Sequence, residues 1–135
     1  MPADQLEHFT IECADLEKTR RFYCDVLGLT VGFRPQMDFD GHWLYCGGVP
    51  VVHLTKHAGW PTLPKDHTGR LDHIAFKSTD PEGVFARFRE HGIAYKENKV
   101  WEIGLLQVFV HDPEGLQIEL NFHGALEKRA PAPAA

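Results

Sequence analysis

The sequence predicts an α+β fold: two βαβββ modules forming a cup-shaped mixed sheet with helices on the outer face. Three observations predict it. Residues 6–23, LEHFTIECADLEKTRRFY, return in altered form at residues 71–88, LDHIAFKSTDPEGVFARF. A shift of 65 positions lays Leu6 on Leu71, His8 on His73, Asp15 on Asp80 and Glu17 on Glu82. In each copy a strand-like stretch runs into a capped helix pattern, and short alternating stretches follow. One such unit leaves a sheet face and its edges bare, so a second unit gives it the cover it lacks.

The elements follow in order. Residues 6–13 suit a strand with Phe9, Ile11 and Cys13 on one face and His8, Thr10 and Glu12 on the other. Asp15 suits the cap of a helix over about 16–27, whose apolar side carries Leu16, Thr19, Tyr23 and Val26, with Phe22 and Leu27 beside them. Gly28 ends it. Strands are expected at about 30–34, 42–46 and 50–55. The second copy opens with a strand over 71–77 and a helix with Pro81 in its first turn. Val84, Phe85 and Phe88 supply that helix's apolar face, and Gly92 closes it. Strands are expected at about 94–100, 105–110 and 116–121. The Pro- and Gly-rich segment 57–70 reads as a loop between modules spanning about 5–56 and 71–122. Residues 1–125 thus read as a single domain, and 126–135, LEKRAPAPAA, as a disordered tail.

Composition narrows the function. The chain has 135 residues, 43% hydrophobic and 24% charged, which is ordinary for a soluble globular domain. No apolar run approaches the roughly 18 residues of a membrane span, and no signal-peptide pattern opens the chain. Cys13, Cys24 and Cys46 are odd in number and lack CxxC spacing, so they read as reduced thiols of a cytoplasmic protein. The net charge is −5, with no basic cluster before the tail, which disfavours nucleic acid as a partner.

The repeat also carries chemistry. At an offset of 66, VPVVHL lies over GLQIEL and sets His53 opposite Glu119. Four equivalent positions result: His8, His53, His73 and Glu119. A carboxylate between Ile118 and Leu120 is costly in a core unless paired or metal-bound. Alternation puts Gln117, Glu119 and Asn121 on one face and the aliphatic residues on the other. Three histidines and a glutamate can hold a borderline divalent metal, and two His with one carboxylate is the donor set of non-haem iron enzymes. A lone strand histidine is usually a satisfied core or surface residue; matched placement in both copies singles these out. His8, His73 and Glu119 are the expected ligands of one divalent metal per chain (Fe2+, Mn2+, Zn2+ or Ni2+). His53 either completes the shell or transfers protons in catalysis. The substrate pocket is expected from Thr10, His42, Trp43, Tyr45, Phe109 and Asn121, with the loop around Trp60 as a lid. Such a wall suits a small aromatic or unsaturated oxygenated substrate. A homodimer is expected, because a two-module cup closes well against a second copy.

The stretches LEHFTIECADLEKTRRFYCDVLGL, LDHIAF and VFVHDPEGLQIEL resemble the vicinal-oxygen-chelate superfamily, which contains glyoxalases, bleomycin-resistance proteins and extradiol dioxygenases. The resemblance covers the chain to about His123. It implies paired βαβββ modules around a metal, with His8, His73 and Glu119 as ligands. It implies a metal-dependent enzyme that chelates neighbouring oxygens of a small molecule, by lyase, isomerase or dioxygenase chemistry. The alternative is a non-catalytic small-molecule or antibiotic-binding protein of the same fold. Where glyoxalase I carries an acidic proton-transfer residue, this chain has His53. Where extradiol enzymes carry a tyrosine, it has Phe109.

Overall fold

The computed structural model describes residues 5–56, 71 and 73–129. The chain divides into two compact units, Met1–Lys65 and Asp66–Ala135, each holding one module. In the first, β1 (Phe9–Cys13) and α1 (Leu16–Arg21) lead through a π-helical turn (Phe22–Val26) to β2 (Thr30–Val31), β3 (Gly41–Cys46) and β4 (Val49–Lys56). In the second, β5 (His73–Lys77) and α2 (Pro81–Glu90) precede β6 (Lys96–Val100), β7 (Leu105–His111) and β8 (Gln117–His123). The α+β class and the two βαβββ modules are borne out. The strands form two four-stranded mixed sheets, one per unit, ordered β1-β4-β3-β2 and β5-β8-β7-β6. In each, the first strand runs parallel to the last and the other pairs are antiparallel. The repeat is therefore kept in topology, and in register too: Thr10 pairs with His53 as Ala75 pairs with Glu119.

The matched aspartates both cap helices. The Asp15 carboxylate accepts from the Lys18 amide at 3.0 Å, and that of Asp80 from the Gly83 amide at 3.2 Å. A Cβ at Gly83 would run into the Asp80 carboxylate, so the glycine lets that carboxylate approach closely. The expected continuous helix to Leu27 is instead a short α-helix followed by a π turn. The sequence contains the reason. Asp15 and Gly28 are 13 positions apart, whereas Asp80 and Gly92 are 12 apart. The extra residue in the first copy is taken up by one wider turn. That turn keeps Phe22, Tyr23 and Val26 buried beside Thr19.

Each sheet buries one face. In the first unit Cys13, Leu44, Val52 and Leu54 are fully buried, and α1 lies against β4. In the second, Val108, Val110, Ile118 and Phe122 are buried, with Phe88 of α2 equally inaccessible. Burying each such aliphatic or aromatic side chain contributes about 1.5–3 kcal/mol. The opposite face of each sheet carries the polar residues of interest.

Two turns fix the registers. Gly47 and Gly48 join β3 to β4 with φ of 59° and 81°, a two-residue turn in the left-handed region that glycine enters without strain. The β7–β8 turn is HDPEG. Asp112, buried, accepts from the amides of Glu114 and Leu116 at 2.9 and 2.8 Å, and Gly115 has φ of 92°. The DPxG part of this stretch is thus turn machinery that sets Phe109 opposite Glu119 and Gln107 opposite Asn121.

Residues 126–129 make contacts with the turn at Trp101–Gly104. The Leu126 amide donates to the Gly104 carbonyl at 3.2 Å and the Arg129 amide to that of Trp101 at 3.0 Å. The Arg129 guanidinium lies 3.6 Å from the Trp101 ring centroid, a cation–π contact. The expected tail beyond them, and the loop 57–70 with its Trp60 lid, lie outside the described residues. Among the described residues no helix is long and apolar enough to cross a membrane.

Candidate functional site

In the first module three rings stack on the polar face. His8 and His53 have centroids 3.8 Å apart and planes 12° apart; His53 and Trp43 are at 4.1 Å and 10°. The register explains the stack: His53 pairs with Thr10 on one side and Trp43 on the other, and His8 sits one residue before β1. His53 Nε2 lies 3.0 Å from the Pro50 carbonyl oxygen. A carbonyl only accepts, so Nε2 carries the proton and Nδ1 of the neutral ring keeps the lone pair. Burial, reinforced by the neighbouring His8, pushes the His53 pKa below the usual histidine range. His8 donates from Nδ1 to the Glu7 carboxylate at 3.0 Å, so the neutral ring keeps its lone pair at Nε2. Tyr45 shares this face, but its hydroxyl donates to the Phe33 carbonyl at 2.7 Å and its ring lies over Gly32. Thr10 is exposed beside His53.

His42 does not join them. It pairs with Leu54 rather than with His53, so it points to the helix-bearing face of the sheet. There its Nε2 lies 2.8 Å from Glu17 Oε1 on α1. Glu17 also accepts from Arg20 at 2.8 Å. The bond to His42, and then that to Arg20, hold the Glu17 pKa below the usual carboxylate range. The expectation that His42 lines the pocket with Trp43 fails on alternation, since consecutive strand residues face opposite ways.

In the second module Glu119 is 8% exposed. Its Oε2 lies 3.1 Å from His73 Nε2, and His73 opens β5. Its Oε1 accepts from Gln107 Nε2 at 2.6 Å. Gln107 Nε2 is also 3.4 Å from Asn121 Oδ1, and Gln107 Oε1 accepts from Asn98 Nδ2 at 2.8 Å. Asn98, Gln107 and Asn121 form one row across β6, β7 and β8. The next row is Lys96, Phe109, Glu119 and Ala75. Phe109 therefore borders the carboxylate with a ring that has no proton to give. Sequence pattern does not single out Gln107 or Asn98. Nor does it mark Glu7 or the Pro50 carbonyl, whose signal is only their nearness to His8 and His53.

The donor chemistry can be set against a divalent ion. Nitrogen and oxygen ligands each about 2.1 Å from an ion and at right angles to one another lie about 3.0 Å apart. The His73–Glu119 separation of 3.1 Å matches that spacing. The same distance is that of a direct hydrogen bond from His73 Nε2 to the carboxylate. Within neither module, among the described residues, do three or more His, Cys, Asp or Glu side chains gather as a metal cluster.

Comparison with known proteins agrees with the fold. Glyoxylase I 4 of Arabidopsis thaliana is 32% identical over 120 residues, covering 85% of this chain and 68% of that protein. A probable lactoylglutathione lyase of Synechocystis is 28% identical, covering 85% of this chain and 92% of that one. The crystal structure of a glyoxalase family protein from Enterococcus faecalis superposes with a TM-score of 0.66 at 27% identity, covering 90% of this chain and 99% of that one. Residues 5–120 match the family model of the Glyoxalase/Bleomycin resistance protein/Dioxygenase superfamily, and the chain belongs to that superfamily.

Proposed function

We propose that this protein is a metal-dependent enzyme of the glyoxalase type that moves a proton on a small, oxygenated, aromatic or unsaturated substrate. His8, His73 and Glu119 would hold one divalent metal. The observation that carries the reading is the buried Glu119 carboxylate, paired with His73 at a spacing suited to adjacent ligands. Matched placement of His8 in the other repeat and the glyoxalase names of the relatives support it. The metal would polarise two neighbouring substrate oxygens. The protein's own residues do the rest. Trp43, stacked on His53, offers an aromatic surface for a flat substrate. Asn121 and Phe109 border the carboxylate side. His53, with its lone pair at Nδ1, would take a proton from a substrate carbon and return it to the neighbouring carbon. Its lowered pKa keeps it neutral and able to accept near pH 7.

A second reading, ring-cleaving dioxygenase chemistry, is favoured by the donor set of two histidines and one carboxylate. Anaerobic purification with metal analysis, followed by a metabolite screen with and without oxygen, decides. Nickel, zinc or manganese with oxygen-independent turnover supports the first reading. Iron with oxygen consumption supports the second. Tight ligand binding without turnover makes the protein a small-molecule-binding member of the family.

A further inference from the structure

We infer that Gln107 is a positioning residue that aims the Glu119 carboxylate, so that Oε1 is held by the protein and Oε2 is presented beside His73. The inference rests on the reading of Glu119 as a metal ligand. A carboxylate has two equivalent oxygens and a side chain with several rotatable bonds. Left alone on a sheet face, it would sample many orientations before meeting an ion. Here the two oxygens are distinguished. Oε1 receives a short charge-assisted hydrogen bond of 2.6 Å from Gln107, and Oε2 lies 3.1 Å from His73.

The polarity of the whole row follows from the carboxylate. An ionised carboxylate only accepts, so the Gln107 amide must turn its nitrogen toward Glu119. Its oxygen then faces Asn98, which must turn its own nitrogen inward, as observed at 2.8 Å. The second hydrogen on Gln107 Nε2 points to Asn121 Oδ1 at 3.4 Å. Every amide in the row is therefore oriented by its neighbour, and the chain ends on the ligand oxygen. Such a relay restricts Glu119 before any ion arrives, and partners behind metal ligands typically affect metal affinity by about 10–100-fold.

The test uses the full chain with Co2+ as the probe. Three quantities are measured: affinity by competition with a chelating dye, the visible absorption spectrum of the bound ion, and the melting temperature without metal. Gln107→Met keeps the length and removes the donor. It is expected to weaken Co2+ binding about 10–100-fold and to alter the spectrum. Asn98→Ala, one bond further out, is expected to weaken binding by a smaller factor of about 2–5, since the network is cooperative. A purely structural role would lower the melting temperature and leave both the spectrum and the affinity of the folded protein unchanged. Gln107→Met with wild-type affinity and spectrum overturns the inference alone. Should Gln107→Met not fold, Asn98→Ala decides, and wild-type affinity there overturns it. A wild-type chain that binds no Co2+, or binds it equally well as Glu119→Gln, overturns the metal reading and this inference together.

Discussion

Glu119→Gln separates the role of the carboxylate in folding from its role in metal binding. In the metal-free protein the substitution is nearly silent by construction. The carbonyl oxygen of the introduced amide can accept the bond from Gln107. Its nitrogen can donate to His73 Nε2 across the 3.1 Å now spanned from Oε2, once the imidazole shifts its proton from Nε2 to Nδ1. Both partners stay satisfied, so metal-free stability should change by no more than about 1 kcal/mol. Metal binding is different, because the anionic ligand is lost. A ligand present at 100 times its Kd stabilises the folded state by about 2.7 kcal/mol. For a chain of 135 residues each kcal/mol moves the melting temperature by about 3–5 °C, so the wild type should gain about 8–14 °C. If Glu119→Gln weakens binding a hundredfold, the same metal concentration equals the new Kd and leaves about 0.4 kcal/mol, or about 1–2 °C. The assay is thermal unfolding of both proteins, first stripped with chelator and then loaded with Ni2+ or Zn2+. Equal metal-induced shifts in the two proteins would refute the assignment. A fall of many degrees in metal-free Glu119→Gln would refute the hydrogen-bond argument instead.

Three further outcomes are expected. His53→Ala should keep its metal and lose at least about 10²-fold in turnover, read by metal analysis beside a kinetic assay on the screened substrate; metal lost with activity makes His53 a ligand. The Glu17–His42 bond ties α1 to β3, and it holds the Glu17 pKa below that of the unfolded chain. Its stabilisation is therefore present above the ordinary glutamate value, about 4.3, and is lost as pH falls through the lower folded value. Urea unfolding should show wild type more stable than Glu17→Gln at pH 7, with the gap closing as pH falls below the ordinary glutamate range; a gap that widens in acid contradicts the sign. Light scattering should give about twice the chain mass of 15.3 kDa, and a clean monomer counts against the homodimer.

The fold is legible to the extent that local pattern decides it. Asp15 and Asp80 cap where the sequence places them, Gly28 and Gly92 end their helices with φ of 82° and 65°, and all eight strands fall near their expected positions. The departures are of one kind: propensity suggests continuity where the chain breaks it. The apolar stripe after Asp15 is continuous and so suggests one unbroken helix. Only the one-residue surplus against the second copy betrays the wider turn. Strand β2 is expected over 30–34 and pairs only at Thr30–Val31, with one further backbone bond from the Gly32 amide to the Trp43 carbonyl at 3.1 Å. Residues 126–129 look like tail by composition, yet two backbone bonds and the Trp101–Arg129 contact hold them.

The candidate site divides differently. Its proposed ligands are legible because a doubled sequence marks equivalent positions without any knowledge of strand pairing. What surrounds them depends on pairing, and pairing is not written in a single strand. His42 faces away from Trp43 and His53 for a reason its own strand contains: Trp43 and Tyr45 share parity, and His42 does not. Gln107 is hidden more deeply. In LLQVFV it sits at the parity of Phe109, between buried Leu106 and Val108, and so could be recognised as a polar residue on the open face. Nothing in β7 alone says that it faces Asn121 and reaches Glu119. That follows only once the HDPEG turn, pinned by Asp112, fixes how β7 folds back on β8. A turn with no chemistry of its own thus decides which amide stands behind the Glu119 carboxylate. Lengthening that turn by one residue would slide β7 along β8 and take the Gln107 donor from Glu119, while His73, held by β5 on the other side, would remain beside it.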